Sequence, residues 1–257
     1  MKEIRSIRAA ESEEFLKVLC QIFDLNYQQA LHVYYNEPMY DLNRKWACFI
    51  DGKMVSILTT SPLNFGWGKA IGIAGVGTIE PYLGQGIATE LLQAALDKSE
   101  RDGEGAAILF AHKTGLYARS GFEVMDHVIR GQIIGDSAAP IEDCLSHEEV
   151  RACYSAWSAK DPNRLIRDAR RWKCWEWTLK DCEPFAGGYI CMEPMGIREA
   201  ILGRPSGIWP VPRAMTWYGL RSLTSLLDVP LKTEKEELIL MGRGFPDIPQ
   251  MFMTDQF

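Results

Sequence analysis

The residues best suited to chemistry lie in one continuous stretch, Gly75-Val76-Gly77-Thr78-Ile79-Glu80-Pro81-Tyr82-Leu83-Gly84-Gln85-Gly86-Ile87-Ala88-Thr89-Glu90-Leu91-Leu92. A strand pattern runs into a tight Gly-x-Gly turn, and the turn opens a helix pattern. Glycine lets a backbone turn sharply and leaves no Cβ between the chain and a ligand. The free amides of a helix's first turn point at one place, where the dipole adds about half a positive charge. Phosphate groups bind at such places. A turn that uses glycine for geometry alone is the competing explanation, and the glycines by themselves do not decide between the two.

Two nucleotide motifs are excluded by the same residues. A P-loop needs Gly-Lys-Ser/Thr at the helix start, whereas Gly86 is followed by Ile87-Ala88. A dinucleotide fingerprint needs a third glycine where Thr89 stands, and the acid about 20 residues on should close the next strand, yet Glu104 precedes it.

The elements that must hold this turn alternate between strand and helix, so the first half reads as α/β. Residues 3–8 form a strand, Ser12 caps a helix carrying Phe15, Leu16, Val18, Leu19, Ile22 and Phe23, and a second helix covers Tyr27 to Tyr35. Residues 46–50 and 54–59 flank Asp51-Gly52, a hairpin signal. A strand spans 70–79, a helix Gly86–Arg101, a buried strand 105–110, a short helix 114–119 and a last strand 123–134. Ile87, Ala88, Leu91, Leu92, Ala95 and Leu96 make one face of the long helix, and Glu90, Gln93, Asp97 and Glu100 the other.

Residues 135–140 read as a linker, and the texture then changes. Residues 146–180 are helical in period, and six of the eight tryptophans fall between 157 and 217. Strands follow at 188–193 and 197–202, a helix near Pro212–Leu227, and a strand at 237–241. This gives a domain over 1–135, a linker over 136–145 and a second, smaller α/β domain over 146–257. The tryptophans fill a core, line an acceptor pocket or form an interface in a homo-oligomer; core is the reading favoured for most of them.

Net charge is −6 over 257 residues, which argues against a nucleic-acid partner. No apolar run nears the roughly 20 residues of a membrane span, and the N-terminus lacks the apolar centre of a signal peptide. The seven cysteines show no C-x-x-C pair, so they support neither a disulfide framework nor a zinc site, and they suit a reducing, cytoplasmic location. The four histidines are too scattered to suggest a metal site.

Residues 81–88 with Leu91-Leu92 resemble the acyl-CoA-binding motif of the GNAT superfamily of N-acetyltransferases, written R/Q-x-x-G-x-G/A. Leu116-Tyr117-Ala118-Arg119-Ser120-Gly121-Phe122-Glu123 resembles the family's later helix-to-strand segment, and residues 104–109 with Tyr117 resemble its enhanced-intracellular-survival (Eis) branch. The resemblance covers residues 1–135. It implies a GNAT-type mixed sheet flanked by helices and transfer of an acetyl group from acetyl-CoA to a primary amine of a small molecule or peptide. It places the cofactor against Val76, Gly77 and Thr78 of a splayed strand and against Leu83, Gly84, Gln85, Gly86, Ile87, Ala88 and Thr89. Leu83 stands where the family has Arg or Gln, which removes one polar contact; a GNAT-fold binding or regulatory module without turnover is the alternative.

The resemblance further implies Tyr117 as the acid that protonates the leaving thiolate, with packing against Phe122 as its structural explanation. His112 could be a base or a loop histidine, and Glu80 a water-linked relay or a solvated side chain. The later strands could form a degenerate second GNAT half, and the full three-domain layout of the Eis branch does not fit in 257 residues. In that branch the C-terminal carboxylate serves as base, here that of Phe257. The apolar end Met251-Phe252-Met253-Thr254-Asp255-Gln256-Phe257 reaches the active site on this reading, or it simply packs on the second domain.

Overall fold

The computed structural model describes residues 1–135, 144–178, 180–194, 196–204, 207–211 and 215–257. Residues 136–143 of the expected linker therefore lie outside the described residues. The chain opens with β1 (Lys2–Ser6), α1 (Ser12–Phe23), α2 (Tyr27–Asn36), β2 (Lys45–Ile50) and β3 (Lys53–Phe65). Asp51 and Gly52 between β2 and β3 take φ of 49° and 81°, the pair of positive values a two-residue type I′ turn requires. Next come β4 (Gly68–Thr78), α3 (Ile87–Arg101), β5 (Ala106–Ala111), α4 (Gly115–Ala118) and β6 (Glu123–Gln132). The second half supplies α5 (His147–Ser158), β7 (Leu165–Ile166), α6 (Ala169–Trp177), β8 (Asp181–Phe185), β9 (Gly188–Glu193), β10 (Gly196–Ile201), β11 (Thr216–Leu220), α7 (Arg221–Leu226) and β12 (Lys235–Arg243).

All these strands join one mixed sheet in the order β1-β2-β3-β4-β5-β12-β6-β11-β10-β9-β8, with β7 pairing β3 to one side. The order is symmetric about its middle. In β2-β3-β4-β5 two antiparallel junctions are followed by a parallel one, and β8-β9-β10-β11 repeats that plan. At the centre the halves exchange strands. β12 from the second half pairs antiparallel with β5, and β6 from the first pairs antiparallel with β11. The second half lacks a counterpart of α3 among its described residues, since β10 reaches β11 without a helix.

Several sequence expectations change here. The helix expected near 212–227 is instead β11 followed by the short α7, while residues 212–214 lie outside the described residues. Thr216–Leu220 is drawn into the sheet by full antiparallel register with β6, from Thr216↔Gln132 to Leu220↔Val128. Ser12 is the first residue of α1 rather than its cap; its hydroxyl bonds the Tyr34 and Tyr40 hydroxyls. The β8–β9 hairpin sets Cys182 opposite Cys191, and the two form a disulfide that cysteine spacing did not suggest.

The tryptophans behave as core. Trp157, Trp172, Trp175, Trp209 and Trp217 are buried in the largest apolar cluster, and Trp177 is exposed. A second cluster joins α1 to β2 and β3, and a third packs α3 onto β4 and β5. No helix among the described residues is long and apolar enough to cross a membrane.

Candidate functional site

The Gly-x-Gly turn is built as its residues suggest. Gly84 and Gly86 take φ of 75° and 77°, and a Cβ on either would meet nothing within 4 Å. These glycines serve a left-handed backbone beside open space, where a side chain on Gly86 would crowd any ligand. A 3-10 turn at Glu80–Tyr82 leads in, and the Gln85 side chain donates to the Pro81 carbonyl at 3.3 Å. Gly86 caps α3 without a side-chain bond, so the amides of Ile87, Ala88 and Thr89 head the helix with no capping group. Leu83 is 58% exposed.

Beside this turn β4 and β5 part company. They pair in parallel from Ala70↔Ala106 to Ile73↔Leu109, after which β4 continues to Thr78 without β5. On its other edge β4 keeps its bonds to β3 through a bulge between Ile57↔Gly77 and Thr59↔Ala74, and Gly75 takes φ of 60° there. Residues 74–78 thus present a strand edge to the gap. Ser56 donates its hydroxyl to the Gly77 carbonyl at 2.8 Å and pairs with the Thr78 hydroxyl at 2.9 Å, which stiffens that edge. Gly77 has a different reason from ligand approach. A Cβ there would come within 2.5 Å of Ile22, so its missing side chain makes room for α1.

Tyr117 and Phe257 lie on opposite faces of the sheet. Tyr117, on α4, packs with Val76 against the cluster formed by Ile71, Ile73, Leu91, Leu92 and Leu109, and stacks edge-on to Phe122 at 6.3 Å. Burial pushes its phenol pKa up, so the group keeps its proton across the neutral range. His112 and Glu80 are exposed. Phe257 is seated on the other face, where a Cβ on Gly72 would collide with its ring, and it lies 5.7 Å from Phe110.

A buried ion network holds that end of the chain. Arg167 donates through Nε to both oxygens of Asp255 at 3.0 Å and through Nη2 to Glu199 at 2.5 Å. Glu199 also accepts from the Trp175 indole at 2.8 Å, the Tyr189 hydroxyl at 2.5 Å and the Thr254 hydroxyl. The Arg167 guanidinium lies 3.9 Å from the Tyr154 ring centroid. Burial would raise the Glu199 carboxyl, but Arg167 more than offsets it and holds the group below the usual carboxylate range. Arg171 adds donors to the Asp255 carbonyl at 3.2 Å and the Pro62 carbonyl at 2.9 Å.

The last two residues and Arg171 then line a cleft of about 480 Å³ with α1, α2, β3 and the β4 bulge. Of this wall, sequence reasoning singled out Phe257 and missed Arg171 and Lys45. Lys45 enters it from β2, its side chain 4% exposed, with the ammonium 4.3 Å from the Tyr34 ring centroid and 3.4 Å from Glu37. Burial lowers its pKa. No local pattern marks Arg167 or Glu199, because their partners are supplied by distant segments.

Residues 3–125 match the family model described as "Acetyltransferase (GNAT) domain". Among curated proteins none matches the sequence. Solved structures resemble the fold closely at low identity. A GCN5-related N-acetyltransferase from Kribbella flavida superposes with a TM-score of 0.72 at 16% identity over 95% of this chain and 71% of its own. Eis1 from Mycobacterium abscessus gives 0.61 at 15% over 93% and 73%. A putative acetyltransferase from Pyrococcus horikoshii gives 0.67 at 12% over 97% and 91%.

Proposed function

We propose that this chain, whose residues 3–125 match the model of a GNAT acetyltransferase domain, moves an acetyl group from acetyl-CoA to a primary amine of a small molecule or peptide, by direct attack with both substrates bound. The observation that carries this reading is the gap between β4 and β5, which opens beside the Gly84–Gly86 turn on one side and the 480 Å³ cleft on the other. The residues present fit acetyl-CoA. Amides of Ile87, Ala88 and Thr89 receive its pyrophosphate, and the free edge of Val76, Gly77 and Thr78 runs along its pantetheine arm. Leu83, exposed beside the turn, contributes no charge to that cradle.

Acetyl-CoA supplies a thioester carbonyl. The amine nitrogen forms a bond to that carbon, the C–S bond breaks, and its electron pair leaves on sulfur. An amide of the β4 edge stabilises the oxyanion. Tyr117, kept protonated by burial, donates its proton to the departing sulfur. In this reading the carboxylate of Phe257 takes the proton from the amine, and the Arg167–Asp255–Glu199 network holds the segment that carries it. The second half is then a degenerate GNAT half that has kept the strand plan and, among its described residues, shows no counterpart of the phosphate turn and α3. A cytoplasmic location goes with use of acetyl-CoA.

Thiol release from acetyl-CoA, measured with and without a panel of primary amines, tests the function. Amine-dependent release supports it, and CoA binding without release under any amine points to a binding module instead.

A further inference from the structure

The side-chain charges around the cleft are already matched within the protein, and in the reading above the Phe257 carboxylate is taken by the reacting amine. Glu37 is the one carboxylate side chain among the described residues lining it, and it pairs with Lys45 at 3.4 Å. Arg171, the other cation of the wall, is taken by Asp255 and the Pro62 carbonyl. Lys45 also spends its field on aromatic faces, at 4.3 Å from Tyr34 and 5.1 Å from Tyr40. The remaining wall is largely apolar, with Phe15, Leu19, Leu25, Val33, Met39 and the Phe257 ring, and Leu25 and Val33 stand about half exposed at its mouth.

We infer that the acceptor is a primary monoamine on an uncharged apolar or aromatic body, and that amines carrying a second charge of either sign are poor acceptors. This rests on the acetyltransferase reading above and narrows its substrate class. A body that fills a mostly apolar cleft gains by leaving water. A second ammonium would enter with no free carboxylate side chain to meet it, and a carboxylate would have to compete with Glu37 for Lys45 or with Asp255 for Arg171. An unpaired buried charge costs several kcal/mol, so the discrimination should exceed about tenfold.

The test is a matched series of hexylamine, 1,6-diaminohexane and 6-aminohexanoate, with kcat/KM for acetyl transfer and calorimetric binding to the CoA-saturated protein. Hexylamine should exceed both charged analogues by more than about tenfold in each measurement. Val33→Asp, which adds a carboxylate at the mouth, should shift preference towards the diamine. A diamine or amino acid that matches hexylamine in the unaltered protein overturns the inference while leaving acetyl transfer standing. If no amine is acetylated, the functional reading fails first. Binding then decides the inference separately, since equal affinity across the series removes it as well.

Discussion

Phe257 occupies the space above Gly72 that a side chain on β4 would fill, so the last residue and the middle of the sheet fit one another as ring and seat. Gly72→Val should expel the ring from the cleft. Steady-state kinetics should show acceptor KM rising about tenfold, the value of one well-filled apolar contact, while acetyl-CoA affinity holds. Phe257→Ala should do the same. Unchanged acceptor KM in both variants would remove Phe257 from the wall. A Gly-Ser tail after Phe257 leaves the ring in place but moves the carboxylate. Loss of turnover with intact acetyl-CoA binding is the expected result if that carboxylate is the base.

Gly86 sits at φ 77° beside open space. Gly86→Val strains the turn by about 1–2 kcal/mol and fills the space in front of the Ile87, Ala88 and Thr89 amides. Calorimetry on a folded variant should show acetyl-CoA affinity down by about tenfold or more. Unaltered affinity would place the pyrophosphate elsewhere.

Tyr117→Phe keeps the ring against Phe122 and removes the proton. Turnover should fall about 10²–10⁴-fold with acetyl-CoA affinity unchanged. Burial raises the phenol pKa, so any alkaline loss of rate due to Tyr117 should lie above the ordinary phenol value of about 10. A variant with full turnover would return Tyr117 to packing.

Arg167, Asp255 and Glu199 are fully enclosed, and removing one member leaves a buried charge without its partner. Arg167→Ala should cost about 3–5 kcal/mol. Thermal melts should register about 2–4 °C for each kcal/mol in a chain of this length. A melting temperature within error of the parent would show that the network contributes little.

Lys45 binds its proton less tightly when folded than when unfolded, because burial lowers its pKa. Between the folded value and the ordinary lysine value near 10.5 the unfolded chain holds more protons, so stability rises with pH through that window. Lys45→Met removes the contribution. Denaturant titrations should show the variant gaining most on the parent at neutral pH, with the gap narrowing as pH climbs towards 10.5. A constant gap would mean that Lys45 titrates as it does in water.

Local pattern was enough for two turns of the first half. The Gly-x-Gly turn needs positive φ at Gly84 and Gly86, and the stripe of Ile87, Leu91, Leu92, Ala95 and Leu96 needs a sheet to cover it, so the turn and the helix it opens could be read from neighbouring residues. Asp51-Gly52 fixed the β2–β3 hairpin in the same way. Tertiary structure decided the rest. Gly77 owes its missing side chain to Ile22, more than fifty positions earlier, and Thr216–Leu220 is a strand because β6 offers it an edge. The cleft wall of Lys45, Arg171 and Phe257 is assembled from three distant segments, and β12 pairs with β5 although most of the second half lies between them in sequence. Periodicity records how a segment relates to its own neighbours. It carries no mark of which far segment supplies the partner strand, the opposing charge or the side chain that fills a glycine's space.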